Sequence, residues 1–191
     1  MLAGRNVLIT GGSRGIGLAL ARICAEEQAE HVALVARDAV RLAEAKDELE
    51  AAAAGGGASE GTVFSVHTAD VTEAAAVEAA VAAVRSAVGK VHVVVNNAGV
   101  VGERAALTAA TADGLRKVLE VNVVGAFNVL AGALRVENAD KLPDLVLNMS
   151  SAAGVMGIPQ LGPYCASKYA LNGLSARLGW WRCRRARWRR I

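Results

Sequence analysis

The 191-residue chain is predicted to fold as an α/β domain, a doubly wound parallel sheet with helices on both faces. Short runs rich in Val, Ile and Leu alternate along the chain with longer stretches of helical pattern. The strand-like runs are continuously apolar, which indicates strands that are buried on both faces, as in parallel sheets. Because crossovers between parallel strands are right-handed, the intervening helices are expected to cover both faces of that sheet.

Five strands and five helices are predicted in alternation. The strands are Asn6–Thr10, His31–Ala36, Val63–Val66, Val91–Val95 and Asp144–Met149. The helices are Ile16–Glu27, Ala39–Ala53, Glu73–Val88, Ala112–Leu134 and Tyr164–Leu178, the last beginning near Pro163. The Ala- and Gly-rich segment 51–61 is predicted to be a flexible loop. One domain over residues 1–177 is expected, with no internal repeat.

Composition narrows the function classes. Apolar residues make up 53% of the chain, so a folded core is expected rather than disorder. No apolar run approaches the roughly 20 residues that cross a bilayer, and the first strand leaves no room for a signal peptide. The three cysteines (Cys24, Cys165 and Cys183) match no metal-site spacing, so no metal and a reducing, cytoplasmic compartment are expected.

The positive charge of the chain is concentrated in its last 14 residues, 178–191. This segment holds six arginines, no acidic residue and all three tryptophans, and without it 15 basic and 18 acidic residues leave a net charge of −3. One interpretation is a basic aromatic tail that contacts an anionic membrane or other polyanion without sequence specificity. The favoured interpretation is a truncated or frame-shifted end without a role of its own.

A glycine-rich loop lies between the first strand and the first helix, in the sequence Thr10-Gly11-Gly12-Ser13-Arg14-Gly15-Ile16-Gly17. Gly11 permits a tight turn, while Gly15 and Gly17 allow a pyrophosphate to approach the backbone and the helix to pack on the strand. The free N–H groups and positive dipole end of a helix N-terminus favour phosphate there. The loop therefore predicts a dinucleotide site.

The end of the second strand indicates which dinucleotide is bound. In such folds, an acidic residue at this position binds the ribose 2′-OH and a basic residue accommodates a 2′-phosphate. Arg37 comes first after the strand, and Arg14 can reach the same phosphate, which favours NADP(H). The alternative is that Arg37 is a solvated loop charge and Asp38 binds the ribose, which requires the strand to be one residue longer.

The predicted catalytic residues lie at the carboxyl end of the chain. Tyr164 and Lys168 are four residues apart and share one helix face. A neighbouring ammonium lowers the pKa of a phenol and so suits it to acid–base work near neutral pH. Ser151 follows the fifth strand, and its hydroxyl can hold a substrate oxygen beside the tyrosine.

Four motifs in order resemble those of the short-chain dehydrogenases/reductases, which have a Rossmann-like fold. They are Thr10 to Gly17, Asn96-Asn97-Ala98-Gly99, Asn122 within Val121-Asn122-Val123, and Ser151 with Tyr164 and Lys168. The resemblance covers residue 3 to about 178. The family continues with further strands and a substrate lid, so the resemblance implies a chain that lacks the family's last strands.

The resemblance implies the role of each matched residue. Asn122, Ser151, Tyr164 and Lys168 match the catalytic tetrad: Tyr164 gives a proton to a carbonyl oxygen, Lys168 holds the nicotinamide ribose, and Asn122 helps to keep a water in the proton relay. Asp70 is expected to hold the adenine amine. The full set expected to contact the cofactor is Thr10, Gly11, Ser13, Arg14, Gly15, Ile16, Gly17, Arg37, Asp70, Val71, Asn97, Ala98, Gly99, Tyr164 and Lys168.

The substrate is expected to be a small-molecule ketone. Local segments such as 34–37, 42–46, 125–129 and 150–154 are most similar to 3-ketodihydrosphingosine reductases, which use NADPH at the cytosolic face of the endoplasmic reticulum. The 3-oxoacyl-carrier-protein reductases are the nearest alternative. A truncated fragment without chemistry and a tail-driven binding protein are the other hypotheses. A homo-oligomer and peripheral membrane contact are compatible with the family, and specific nucleic-acid binding is not expected.

Overall fold

The computed structural model describes residues 2–54 and 61–183, with side chains to residue 176. Within these residues, five strands form one parallel sheet in the order β3–β2–β1–β4–β5. Central β1 pairs with β2 through Val7–Val32 and with β4 through Val7–Val93. The predicted fold class is therefore confirmed. The strands are β1 (Asn6–Thr10), β2 (His31–Ala36), β3 (Val63–Thr68), β4 (Val93–Asn96) and β5 (Leu145–Asn148).

Six α-helices lie within the described residues: α1 (Gly15–Glu26), α2 (Ala39–Ala54), α3 (Ala74–Val88), α4 (Ala112–Leu119), α5 (Ala126–Leu134) and α6 (Gly162–Cys183). A π-helical turn, Glu120–Gly125, joins α4 to α5 without a break. Short 3-10 turns occupy Ala139–Lys141 and Ala152–Gly154.

The chain divides into two compact units. We call the first the sheet unit (Met1–Gly99 and Val124–Met149) and the second the α6 unit (Val100–Val123 and Ser150–Ile191). All five strands belong to the sheet unit. The one-domain assignment over residues 1–177 stays a prediction.

The sheet unit is held together by two apolar layers. Alternate residues of β1, such as Val7 and Ile9, pack with Cys24 of α1 and Leu42 of α2 in one buried cluster. Because successive side chains of a strand point to opposite faces, Leu8 lies on the other face, where α3 and α5 pack. Helices therefore cover both faces of the sheet, as the sequence predicts.

The amino end of β1 is anchored by a buried asparagine. The Asn6 backbone N–H donates to Nδ1 of His92 at 3.0 Å. The Asn6 side-chain amide donates to the carbonyls of Lys90 at 2.9 Å and Val88 at 3.3 Å. These bonds satisfy five hydrogen-bonding groups next to the first strand pair, whereas Oδ1 of Asn6 is buried with no hydrogen-bond partner among the described residues.

The structure corrects three predicted segments. Residues 112–134 are predicted as one α-helix, but the π-helical turn interrupts it. By length and composition alone, this stretch of 23 residues is long and apolar enough to cross a bilayer, since it is apolar on average despite Lys117 and Glu120. No segment of that kind was expected from the sequence. Val118 in α4 and Val129 in α5 are buried within the protein, as expected for core helices.

The other two corrections concern helix ends. Residues 51–53 were assigned both to the predicted helix and to the predicted flexible loop, and the structure confirms the helix, since α2 continues to Ala54 because alanine favours helix. The remaining loop residues, 55–60, lie outside the described residues. Helix α6 continues to Cys183 rather than ending at Leu178. Of the predicted tail, residues 184–191 and the side chains of 178–183 also lie outside the described residues.

An arginine at the end of α3 ties α3 to α5. The guanidinium of Arg85 donates to the carbonyls of Gly132 at 3.1 Å, Ala133 at 2.5 Å and Arg135 at 3.2 Å. These are carbonyls of the last turn of α5, which have no partners within their own helix. Burial lowers the pKa of Arg85, but the cation is compensated by the negative end of the α5 dipole.

We expect Arg85→Met to lower the free energy of unfolding by about 2 kcal/mol, because charge-assisted bonds to α5 are lost and its carbonyls are left buried. Urea denaturation measures the change. The control is Arg135→Met, which removes an exposed ion pair with Glu78 on the same two helices and should cost less than about 1 kcal/mol. Equal effects of the two substitutions would contradict the capping role of Arg85.

Candidate functional site

The turn after β1 in the sheet unit is a set of close backbone contacts. Gly11 has a φ of +65°, and a Cβ built on it would lie 3.0 Å from Cα of Ala98 and 3.0 Å from Nδ2 of Asn97. A Cβ on Gly17 would lie 2.2 Å from the carbonyl oxygen of Gly11. The start of α1 is thus packed directly on the turn, so neither position admits a side chain.

Side chains on both sides of this turn hold it in place. Thr10 is almost fully buried, and its hydroxyl accepts the backbone N–H groups of Asn97 and Ala98, both at 3.1 Å. The Asn97 amide in return donates to the carbonyls of Thr10 at 3.0 Å and Gly11 at 3.2 Å. Thr10 and Asn97, both predicted to contact a cofactor, are therefore occupied in shaping the loop.

The first turn of α1 is left open on its outer side. Arg14 occupies the N-cap position in an extended conformation and makes no side-chain hydrogen bond to the helix. Gly15 has a φ of +56°, and no atom lies within 4 Å of the position its Cβ would take. Arg14, Gly15 and Ile16 are exposed, and Ser13 is half-buried. This end of α1 therefore presents backbone N–H groups and the positive end of the helix dipole, and the first turn of the helix holds no acidic residue.

The residues after β2 have different surroundings. The strand ends at Ala36, and the Arg37 side chain is 65% exposed. Asp38 instead serves α2, because its carboxylate accepts the Arg41 backbone N–H at 3.1 Å and lies 3.4 Å from Arg41 Nε. Asp38 is thus an N-cap residue, and Arg37 is the residue available at the strand end.

The loop after β3 is held by its own polar groups. One oxygen of Asp70 accepts the backbone N–H and the hydroxyl of Thr72, both at 2.9 Å, and the other lies 3.5 Å from Nη1 of Arg37. Burial raises the pKa of Asp70, but these hydrogen bonds and the Arg37 charge outweigh it, so the pKa is lowered overall. Asn128 of α5 holds the same loop by donating to the carbonyls of Val71 and Thr72.

Asn96 links three elements of the sheet unit at the end of β4. Its amide donates to the Ala126 carbonyl of α5 at 2.9 Å and to Oδ1 of Asn148 in β5 at 3.2 Å. Gly99, the last residue of this motif, is exposed. The motif Asn96–Gly99 is therefore structural at its first residue and open at its last.

The structure brings Tyr164 and Lys168 together on α6, in the second unit. The Lys168 ammonium lies 5.5 Å from the centroid of the Tyr164 ring. Lys168 is only 5% exposed, and burial lowers its pKa. An ammonium over the face of an aromatic ring is attracted by the electrons of the ring, so the two side chains form a cation–π pair.

Ser151 lies on a loop that packs against α6. Its Oγ accepts the Ala153 backbone N–H at 3.2 Å, which caps the 3-10 turn Ala152–Gly154. Gly154 contacts α6 closely, and its carbonyl accepts the Asn172 amide at 2.9 Å. Ala153 shares a small apolar cluster with residues of this loop and of α6, including Tyr164. The serine loop and the tyrosine helix are thus parts of one packed body.

Asn122 lies in the π-helical turn and is 1% exposed. Its Oδ1 accepts the Val100 N–H at 2.8 Å, and its Nδ2 donates to the Val100 carbonyl at 2.8 Å and to Oγ of Ser167 at 2.9 Å. Both amide hydrogens are therefore used within the α6 unit. A relay water, as expected from sequence, has no side-chain hydrogen of Asn122 left to bind.

The predicted site residues fall into two groups. The nucleotide-loop residues, Arg37 and Asp70 belong to the sheet unit, and the four tetrad residues belong to the α6 unit. Two residues with clear positional roles, Ser167 and Asn128, were not singled out from sequence. A serine inside a helix, where it is a poor helix former, is the signal available for Ser167. In the described residues, no group of three or more His, Cys, Asp or Glu side chains is placed to hold a metal.

We expect Gly17→Ala to lower the free energy of unfolding by more than about 2 kcal/mol, since the new methyl must displace the Gly11 carbonyl. Thermal and urea unfolding measure this change. Gly173→Ala is the matched control, because nothing lies within 4 Å of its Cβ position in α6. Removing a glycine from a helix should raise stability by up to about 1 kcal/mol. A Gly17→Ala protein as stable as the wild type would contradict the packing described for the loop.

Comparison with known proteins gives the family. The model of the short chain dehydrogenase family matches residues 5–180. The chain is 34% identical over 175 residues to an NADPH-dependent pterin aldehyde reductase of Arabidopsis thaliana, covering 92% of this chain and 68% of that protein. It is 35% identical over 176 residues to 3-dehydrosphinganine reductase TSC10A of the same plant, covering 91% of this chain.

The chain thus spans about half the length of this 3-dehydrosphinganine reductase, since it covers 50% of it. Among solved structures, NAD+-bound xylitol dehydrogenase superposes with a TM-score of 0.83 at 32% identity, covering 93% of this chain and 65% of that one. The chain belongs to the short-chain dehydrogenase/reductase family of oxidoreductases, with a Rossmann-like nucleotide-binding fold.

Proposed function

We propose that the chain is an NADPH-dependent reductase that converts a ketone to a secondary alcohol. The observation that carries the proposal is the buried Lys168 ammonium beside the Tyr164 ring. A phenol with a fixed cation beside it is suited to exchange a proton with a carbonyl oxygen, as general acid–base catalysis requires.

The sheet unit offers a fitting cradle for a dinucleotide. Gly15 leaves open space at the start of α1, whose first turn holds no acidic residue. Such a helix N-terminus favours a pyrophosphate. The loop residues that would hold the dinucleotide there are Gly11, Ser13, Arg14, Gly15, Ile16 and Gly17. Asp70, Val71, Ala98 and Gly99 would contact it toward the adenosine and the end of the sheet. Thr10 and Asn97 would shape the loop.

The preference for NADPH rests on Arg37. It is exposed directly after β2, while Asp38, the alternative ribose-binding residue, is occupied as the cap of α2. Arg14 is also exposed and adds positive charge. A guanidinium forms strong charge-assisted bonds with a phosphate. The pterin aldehyde reductase is named as NADPH-dependent, which supports this choice, whereas the xylitol dehydrogenase structure holds NAD+.

The four residues of the α6 unit have separate tasks in this proposal. When bound, a reduced nicotinamide supplies a hydride to the carbonyl carbon. Ser151 holds the carbonyl oxygen, Tyr164 gives it a proton, and Lys168 binds the nicotinamide ribose and assists proton supply. Asn122 supports the proton relay by fixing the backbone around it, because its side chain is bonded to Val100 and Ser167.

The substrate we propose is a lipid-like ketone such as 3-ketodihydrosphingosine. In the α6 unit, the apolar side chains of Leu107, Val155 and Met156 are 83%, 71% and 57% exposed, as expected for a surface that receives an aliphatic chain. The likeness to a 3-dehydrosphinganine reductase is consistent with this choice. The protein would then act in the cytoplasm, at the cytosolic face of the endoplasmic reticulum, through peripheral membrane contact and as a homo-oligomer.

Two alternatives are retained. One is an enzyme like the 3-oxoacyl-carrier-protein reductases, which would act on a ketone carried by a protein. The other is a non-catalytic fragment that only binds the nucleotide. Reductase activity measured on free ketones and on ketones attached to acyl carrier protein separates the first alternative from our proposal. Cofactor binding without turnover of any of these ketones would support the second alternative.

NADPH is expected to bind at least about tenfold more tightly than NADH, because a charge-assisted phosphate contact contributes about 1.5–3 kcal/mol. Arg37→Ala should remove most of this difference, as measured by nicotinamide fluorescence titration. The control Arg41→Ala removes an exposed guanidinium that pairs with Asp38. It should leave the ratio of the NADH and NADPH dissociation constants within about twofold of that of the wild type. Equal dissociation constants for the two cofactors in the wild type would refute the assignment.

Tyr164→Phe is expected to lower kcat by more than about 100-fold while the dissociation constant for NADPH changes less than about twofold. The phenol supplies the proton, and the ring still packs in the Ala153 cluster. Tyr169→Phe is the control, because Tyr169 lies on the same helix and is 49% exposed; its kcat should stay near that of the wild type. A Tyr164→Phe enzyme that retains more than a few per cent of the rate would exclude Tyr164 as the proton donor.

A further inference from the structure

One buried hydroxyl in the α6 unit connects the helix of Tyr164 and Lys168 to the π-helical turn. Ser167 is 0% exposed. Its Oγ donates to the Tyr164 carbonyl at 2.7 Å and accepts the Asn122 amide at 2.9 Å. Each partner of this hydroxyl is a predicted catalytic residue, and Ser167 itself immediately precedes Lys168.

The bond to Tyr164 alone would be ordinary. Serine hydroxyls inside helices commonly donate to a carbonyl three or four residues earlier. Ser175, farther along α6, does the same with the Leu171 carbonyl at 2.8 Å. The Ser167 oxygen in addition receives a hydrogen bond from a side chain of another helical segment, at a fully buried position.

The partner is itself held rigidly. The Asn122 side chain is fixed by two bonds of 2.8 Å to the backbone of Val100, so its remaining amide hydrogen has a defined direction. The hydroxyl of Ser167 must lie on that direction. This condition sets both the rotation of α6 about its axis and its displacement along it. Tyr164 and Lys168 are on the same helix turn as Ser167, so their side chains inherit that setting.

We propose that Ser167 is a positioning residue for the carbonyl reduction. Its hydroxyl aligns α6 against Asn122 and thereby places the Tyr164 hydroxyl and the Lys168 ammonium for reaction. The inference rests on the proposed reductase function. Ser167 touches neither substrate nor cofactor in this assignment, and it acts through the helix.

The test is steady-state kinetics of the full-length chain with NADPH and a ketone that the wild type reduces. Ser167→Ala leaves the Asn122 amide hydrogen buried without an acceptor, so α6 shifts. We expect kcat to fall by about 10-fold to 100-fold, with the dissociation constant for NADPH within about threefold. Ser175→Ala removes the comparable intrahelical bond and should keep kcat within about twofold. Ser167→Thr retains the hydroxyl and should recover at least a third of the wild-type kcat if the added methyl is accommodated.

A double-mutant cycle tests whether Ser167 acts through Asn122. If it does, the Asn122→Ala/Ser167→Ala double variant has a kcat within about threefold of that of Asn122→Ala alone, because the second change removes nothing further. Independent, multiplying losses would overturn the proposal. So would a Ser167→Ala enzyme with a kcat like that of Ser175→Ala.

A spectroscopic measurement separates failure of this inference from failure of the proposed function. With tyrosine labelled at 13Cζ, the Tyr164 signal should move in Ser167→Ala and stay in place in Ser175→Ala, and Tyr164→Phe identifies the signal. A chain that reduces no ketone refutes the reductase proposal, but a moved signal would still support the alignment of Tyr164 by Ser167. An unchanged Tyr164 signal in a folded Ser167→Ala chain overturns the inference. If Ser167→Ala does not fold, Asn122→Ala removes the same hydrogen bond from its other end, and an unchanged Tyr164 signal in that folded variant overturns the inference.

Discussion

The contact of Gly17 with the carbonyl of Gly11 is the constraint on which the sheet unit depends. It brings the first helix directly onto the first turn, where any side chain would keep them apart. Asn97 and Thr10 then complete the arrangement by bonding across the turn. These bonds use backbone groups at the ends of both β1 and β4, so they hold the two central strands side by side. The same packing leaves the N-terminus of α1 open.

In the α6 unit, polar bonds to the backbone have the corresponding role. Asn122 is bonded to both polar groups of Val100, and Asn172 holds the loop of Ser151 through the Gly154 carbonyl. Buried side chains that bond to backbone groups determine position more narrowly than apolar packing does, because a small displacement leaves a donor or acceptor unsatisfied. A proton donor such as Tyr164 benefits from this, since proton transfer depends on a few tenths of an ångström.

The sequence predicted the fold class well because the signals for it are local and repeated. The bounds of β1 and β2 agree with the predicted ones, since continuous apolar runs end at Gly11 and at charged Arg37. The π-helical turn was missed, because residues 112–134 are apolar on average and the shift of pattern caused by one inserted residue does not stand out in such a stretch. Asp38 as the cap of α2 was also missed, although α2 begins at Ala39 as predicted, because Asp38 was considered only as the alternative ribose-binding residue.

The sequence suggested which residues form the site, but it did not predict the hydrogen bonds that these residues make. Tyr164 and Lys168 meet as expected, because four residues in a helix are one turn. The expected role of Asn122 in holding a relay water stays a prediction, and its amide hydrogens are donated to Val100 and Ser167. That outcome depends on residues 22 and 45 positions away, and no local pattern contains such a pairing.

The anchor at the start of β1 has a further consequence. His92 accepts the Asn6 N–H through Nδ1, which requires the imidazole to be neutral with its proton on Nε2. Burial and the Arg5 charge lower the pKa of His92, in accord with that state. A histidine whose pKa is lower in the folded protein than the unfolded value of about 6.5 stabilises the fold above that pH and loses this contribution as the pH falls. The amino edge of the central strands is therefore sensitive to mild acid, although it lies at the opposite end of the sheet from the proposed nucleotide site.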